Sequence, residues 1–217
     1  MLSIQAFTFN AFSENTYVVS DETREAVIID PGCYSREEQG ALSAFVEESQ
    51  LTIKAILNTH CHIDHVLGND FVKEKYKAPL WINPLEEAQL RAVTNYAPLY
   101  GFEGYRQTEA DRFISEDDAI VFGHTRWKIL FLPGHSPGHV GFYDDVEGVL
   151  FSADVLFANS IGRTDLPGGN FGTLIQSIHK KIFTLPDKVV VYPGHGPTTT
   201  VGAEKISNPF CALSLIR

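Results

Sequence analysis

The sequence is short of several things, and each shortage excludes something. It has three cysteines, Cys33, Cys61 and Cys211, in 217 residues. They are too few and too scattered for a disulfide framework, and a chain of this length buries enough surface to do without one. A reducing, cytoplasmic setting is therefore expected. Positive charge is scarce, with 17 Lys and Arg against 27 Asp and Glu, a formal net charge of −10. A protein that grips nucleic acid through its phosphates needs a basic surface, so nucleic acid is not an expected partner. The first basic residue is Arg24, so the start lacks the charged region of a secretory signal. No apolar run approaches the ~18 residues that a membrane-spanning helix requires, so a membrane is not an expected partner either. Low-complexity tracts and Gly/Ser linkers are missing too, and a single domain over residues 1–217 is expected.

What the chain does contain is a mixture of strand and helix signals. Residues 16–19 and 26–29 are β-branched runs, and the second stops at the turn signal Asp30-Pro31-Gly32. Ser35-Arg36-Glu37-Glu38 has capping-box spacing, with Leu42, Phe45 and Val46 following at helical spacing. Strands are expected at 53–57, 79–82, 120–122, 127–132, 140–143, 149–152 and 189–192. Helices are expected at 65–76, 85–93, 171–183 and 201–207. Residues 94–116 hold Tyr96, Tyr100, Phe102, Tyr105 and Phe113 with little period and read as a loop or lid. Those aromatics either line a substrate site or pack as core beneath the loop. The whole is an α/β pattern of sheets covered by helices.

The eight histidines are ordinary in number but not in placement. The strand at 53–57 runs into Asn58-Thr59-His60-Cys61-His62-Ile63-Asp64-His65. Leu132-Pro133-Gly134-His135-Ser136-Pro137 echoes Tyr192-Pro193-Gly194-His195-Gly196-Pro197, and the strand at 149–152 ends at Asp154. Four strands thus deliver polar side chains just past their carboxyl ends, where sites of layered α/β proteins gather. His60 and His62 alternate with Cys61, so both can face one side while the thiol points away as a buried structural group. His139 shares the Pro-Gly-His setting of His135, but the echo with His195 favours His135. His124 reads as a solvated turn residue and His179 as helix surface. Five histidines and two aspartates exceed one tetrahedral site and suit two adjacent divalent ions. Their imidazole and carboxylate donors fit zinc, with iron or manganese also suited. Arg163, in a Gly-rich loop after Asp154, is placed either to fork a substrate carboxylate or to pair with Asp165.

These motifs, taken in order, resemble the metallo-β-lactamase fold superfamily across nearly the whole chain. Asn15-Thr16-Tyr17 and Asp30-Pro31-Gly32 look like its first sheet. Ser152-Ala153-Asp154-Val155-Leu156-Phe157, with Ser160-Ile161-Gly162-Arg163-Thr164-Asp165 after it, is similar to the short bacterial glyoxalase II-like hydrolases. The resemblance implies an αβ/βα four-layer sandwich, two mixed sheets face to face with helices outside. By position, it assigns His60, His62 and His135 to one metal, Asp64, His65 and His195 to a second, and Asp154 as the bridge. It implies a dinuclear hydrolase of a small thioester or ester, in which hydroxide generated at the metals attacks the carbonyl and Asp64 also orients it. A persulfide dioxygenase using one iron is the alternative within the same superfamily. Glyoxalase II itself carries a C-terminal helical domain that contributes to glutathione recognition. Only about twenty residues follow His195 here, so the resemblance extends to the metal chemistry rather than to that domain.

Overall fold

The β-branched runs near the N-terminus pair as an antiparallel meander of β1 (Ser3–Phe9), β2 (Glu14–Ser20) and β3 (Glu25–Ile29). The computed structural model describes residues 1–215. Chain contacts gather them into two units, Met1–Ile114 with Val121–Arg126, and Ser115–Ile120 with the chain from Trp127 onward. The architecture is the expected mixed α/β one, with two mixed six-stranded sheets and accompanying helices.

In the first unit, helix α1 (Arg36–Glu48) returns the chain so that β4 (Thr52–Leu57) lies parallel to β3. The Ser35 hydroxyl accepts the Glu38 amide and the Glu38 carboxylate accepts the Ser35 amide, closing the capping box read from the sequence. Such a cap stabilises a helix by about 1 kcal/mol. The single helix expected at 65–76 is instead two, α2 (Ile63–Val66) and α3 (Asn69–Tyr76). The break lies at Gly68, whose amide donates to the Pro31 carbonyl at 2.7 Å. A Cβ there would stand 2.5 Å from Cys33 Sγ, so only glycine permits this approach. Next come β5 (Leu80–Ile82) and α4 (Glu87–Tyr96), the latter longer than expected. The expected loop at 94–116 also contains a 3₁₀ turn, Ala97–Tyr100, and a sixth strand, β6 (Arg112–Phe113). Asp111 holds β6 in place, because its amide donates to Leu80 O and its carboxylate accepts the Leu80 amide, both at 2.8 Å. Ile28 and Ile56 of the sheet pack with Leu42 of α1, Val66 of α2, Val72 of α3 and Leu90 of α4. Each such buried side chain contributes roughly 1.5–3 kcal/mol.

The second sheet contains β7 (Ala119–Phe122), β8 (Thr125–Phe131), β9 (Val140–Asp144), β10 (Val149–Ala153), β13 (Val190–Pro193) and β14 (Thr199–Thr200). A separate hairpin joins β11 (Leu156–Phe157) to β12 (Ser160–Ile161). The sheet order is β14-β13-β10-β9-β8-β7. β9 is antiparallel to both β8 and β10, and β10 is parallel to β13. β8, β10 and β13 therefore run the same way, and their carboxyl ends share one sheet edge. The helix expected at 171–183 is α5 (Phe171–Ser177), continued by a π-helical stretch, Ile178–Ile182. α6 (Val201–Ser207) matches its expected bounds. His179 is a correction: it is half-buried, and its Nε2 lies 2.7 Å from the Cys211 carbonyl because the C-terminal segment folds back on this helix. Among the described residues no helix is long and apolar enough to cross a membrane.

A buried carboxylate ties the β2–β3 turn to the tip of the β7–β8 hairpin. Asp21 accepts the Thr23 amide at 3.0 Å and the His124 amide at 2.6 Å, and also bonds the hydroxyls of Thr23 and Thr125. Burial alone would raise its pKa, but these donors outweigh it and hold the carboxyl below its usual range. His124 itself is an exposed turn residue beside Glu22, as expected. Asp21→Ala should cost about 2 kcal/mol in urea unfolding at neutral pH, because it strands two amides. A depressed native pKa stabilises the fold above the unfolded carboxyl's pKa of about 3.9 and loses that effect in acid. The difference between wild type and variant should therefore shrink as the pH falls below about 4.

Candidate metal centre

In the first unit, the donors follow the carboxyl ends of two neighbouring parallel strands. β3 runs into Asp30 and β4 into residues 58–65. His60 and His65 are fully buried and His62 nearly so. The His60 ring lies 4.7 Å from that of His62 and 4.1 Å from that of His65, centroid to centroid. Asp64 Oδ2 is 3.5 Å from His65 Nε2. Cys61, between the two histidines, is fully buried in the unit's core. Burial first, then the charges of Glu86 and Asp30, push its thiol pKa well up, which keeps it protonated.

One buried carboxylate sets the tautomers of His60 and His65. Asp30 accepts the Thr59 amide at 2.7 Å through Oδ1 and the Thr59 hydroxyl at 2.6 Å through Oδ2. His65 Nδ1 lies 3.1 Å from the same Oδ2, which can only accept, so this nitrogen carries the proton. The Thr59 hydroxyl has given its proton to Asp30, so it accepts from His60 Nδ1, 3.1 Å away. In both rings Nε2 becomes the lone-pair nitrogen, the form a metal requires. Asp30, His60 and His65 offer donor atoms within 4.8 Å of one another. Both Asp30 oxygens already accept bonds, so Asp30 orients the two candidate donors His60 and His65. Glu14, also fully buried, stands behind it, with Oε1 3.9 Å from His65 Nδ1. Its pKa is pushed well up by burial and by the charges of Asp30 and Asp64, against the opposing pull of His65 and the Thr16 hydroxyl.

In the second unit, His135, Asp154 and His195 follow β8, β10 and β13, at the shared edge. Asp154 Oδ2 is 3.5 Å from His135 Nε2 and 3.6 Å from His195 Nε2, so one carboxylate stands beside both rings. His135 Nδ1 is 2.8 Å from the Arg163 carbonyl, which again fixes the proton on Nδ1 and the lone pair on Nε2. The backbone bends sharply to present Asp154. Ala153 has φ +40°, and the β10–β13 register shifts beside it. Gly162 lies against this bend, where a Cβ would stand 1.9 Å from the Asp154 carbonyl and 3.1 Å from His135 Nδ1. His139 is fully buried with its ring 6.0 Å from that of His135, and its carbonyl accepts the Leu132 amide to close the loop. The Arg163 side chain forks onto Asp165 with two 2.8 Å bonds, holding the Asp165 carboxyl down to about 2.

Within each unit, then, the donors read from the sequence stand side by side: His60, His62, Asp64 and His65 in one, His135, Asp154 and His195 in the other. Sequence reasoning missed Asp30, Thr59, Glu14 and the Arg163 carbonyl. Asp30 did leave a signal, an acid closing a buried strand, but it was read as a turn. The donor chemistry fits divalent metal: neutral imidazoles with fixed tautomers beside carboxylates.

The family model described as the metallo-beta-lactamase superfamily matches residues 10–195. The chain is 36% identical over 211 residues to a Haemophilus influenzae protein named hydroxyacylglutathione hydrolase GloC, covering 96% of this chain and 98% of that one. Among solved structures it is similar to BLEG-1, a B3 metallo-beta-lactamase, with 38% identity, a TM-score of 0.86 and coverage of 97% and 99%. It is also similar to TTHA1623 solved in a di-iron-bound form, with 36% identity, a TM-score of 0.83 and coverage of 95% and 99%.

Asp30→Asn keeps the shape but removes the charge that orients His60 and His65. It should weaken metal binding about 10- to 100-fold in a competition titration with a chromophoric chelator; unchanged affinity would refute the supporting role. Gly162→Ala must move either Asp154 or the His135 loop. It should lower the melting temperature by several degrees, about 2–4 °C for each 1 kcal/mol in a chain of this size.

Proposed function

The chain belongs to the metallo-beta-lactamase superfamily of metallo-hydrolases, and on that premise we propose that it hydrolyses a small thioester or ester with two divalent metal ions. We propose that its two units act as one domain, with His60, His62 and His135 holding one ion and Asp64, His65 and His195 the other. Asp154 would serve both. The observation that carries this reading is the Asp154 carboxylate, set at almost equal distance from His135 and His195, one ring assigned to each ion. Zinc suits these donors, and the di-iron form of a similar protein supports iron as the other candidate. Such ions lower the pKa of coordinated water and polarise a carbonyl oxygen.

The chain's own residues supply the rest. Asp64 keeps a 13% exposed side chain where His65 has none, so it is the acid placed to accept a hydrogen bond from the attacking water and orient it. Water adds to the carbonyl carbon, the C–S bond breaks, and a carboxylate and a thiol leave. A thiol with a pKa of about 8.5 departs without a strong general acid, which fits a site whose neighbouring groups are imidazoles and carboxylates. Arg163 meets a substrate carboxylate by exchanging its exposed pair with Asp165, a contact worth little in water. The substrate is a small molecule rather than nucleic acid or membrane, in keeping with the net charge of −10. Three free, buried cysteines suit the cytoplasm. A second reading, opening of a β-lactam ring, is favoured by the similarity to BLEG-1.

The test is a panel of S-lactoylglutathione, a simple acyl thioester and a chromogenic β-lactam, run on protein loaded with zinc or iron. Thioester turnover is expected, falling more than about a hundredfold in His60→Ala together with metal content. Dominant β-lactam turnover would transfer the assignment to the second reading. Oxygen uptake by the iron form without hydrolysis would make it an oxidoreductase. A fully active, metal-free His60→Ala protein would overturn the ligand assignment.

A further inference from the structure

The first unit displays aromatic side chains that the metal chemistry does not use. Phe12 and Tyr100 are exposed, and Leu99 beside Tyr100 is 83% exposed. The Phe12 and Tyr100 rings meet edge to face, with centroids 5.8 Å apart. Phe102 backs Phe12 at 6.0 Å, Tyr34 packs on Phe102 at 4.9 Å, and Tyr96 lies 6.1 Å from Tyr100.

These rings are held, not loose. Asn10 Nδ2 donates to the carbonyls of Gly32 and Asp64, both at 3.0 Å, while Asn10 Oδ1 accepts the Phe12 amide at 3.0 Å. The Asn10 amide in turn donates to Glu38, the acid that also caps α1. On the other side, the Tyr34 hydroxyl accepts the Gly104 amide at 2.8 Å and fixes the loop that follows Tyr100. The turn carrying Phe12 is therefore bonded to the backbone of Asp64 itself. α4, which ends at Tyr96, packs on α2, which contains Asp64.

Exposed rings cost solvation, and holding them rigid beside a reacting group removes the entropy cost of ordering them when a ligand arrives. We propose that Phe12, Tyr96 and Tyr100 form a subsite for a flat apolar group of the substrate, so that the enzyme prefers thioesters or esters bearing an aromatic ring over their short aliphatic counterparts. This rests on the hydrolase reading above. The ring sits on either the acyl or the thiol side of the scissile bond, and the test separates the two.

Two matched pairs serve. Phenylacetyl and acetyl thioesters of one thiol vary the acyl side; acetyl thioesters of benzyl thiol and ethanethiol vary the other. The ratio of kcat/KM within each pair is compared between wild type and the Phe12→Ala/Tyr100→Ala variant. The variant should lose about tenfold of the aromatic preference in one pair. General structural damage lowers both members of a pair and leaves the ratio alone, so ratios unchanged in both pairs overturn the proposal. A readout independent of turnover is the NMR titration of wild type with phenylacetate and with benzyl alcohol. Shifts of the Phe12 and Tyr100 ring signals support the subsite even if no thioester is hydrolysed, a result that would sink the hydrolase reading alone. Silent rings sink the subsite. A double variant with unchanged ratios but a lower sedimentation mass would overturn it in favour of contact between copies of the chain.

Discussion

Two of the four donors that the first unit offers to a metal, His60 and His65, depend on one buried carboxylate. Asp30 has left water, and an ion in that position is tolerable only if its oxygens are met by donors. The Thr59 amide, the Thr59 hydroxyl and His65 Nδ1 meet them. This requirement dictates much around it. It orients His65 directly and His60 through Thr59. It also holds residue 30 at φ +47°, a conformation few side chains adopt without support. The parallel pairing of β3 with β4 makes the arrangement possible, since it brings both strand ends to the same place.

The second unit reaches a similar result by other means. Its donors, His135, Asp154 and His195, are delivered by three strands running in one direction. The His135 tautomer is fixed by a backbone carbonyl instead of a carboxylate. Conformational strain at Ala153 and the missing side chain at Gly162 together let Asp154 stand between two rings. Both units follow one rule: the neighbour that a candidate donor's Nδ1 meets decides what its Nε2 can do.

Much of this was legible in the sequence, for identifiable reasons. The strands at 16–19, 26–29 and 53–57 announce themselves by β-branched runs, and α1 by its capping box, because both are local patterns. The candidate donors stood out because His60-x-His62-x-Asp64-His65 and two Pro-Gly-His loops are rare local strings. What escaped notice was non-local or made of backbone. The expected helix at 65–76 breaks because the Gly68 amide turns to Pro31, far away along the chain. β6 is two residues long and exists only through its pairing with β5. Asp30 looks like any turn aspartate until its partners at 59 and 65 are known. The Arg163 carbonyl leaves no trace in residue identity, since every residue has one.

The bonds made by Asn10 bear on how such a protein can diverge. Its side-chain amide reaches backbone carbonyls at positions 32 and 64, and Gly32 keeps that path open, since a Cβ there would stand 2.7 Å from Asn10 Nδ2. The turn it holds can accept different residues at position 12 while staying moored. A substitution at position 12 thus changes the exposed surface of the turn while the bonds of Asn10 keep its backbone in place.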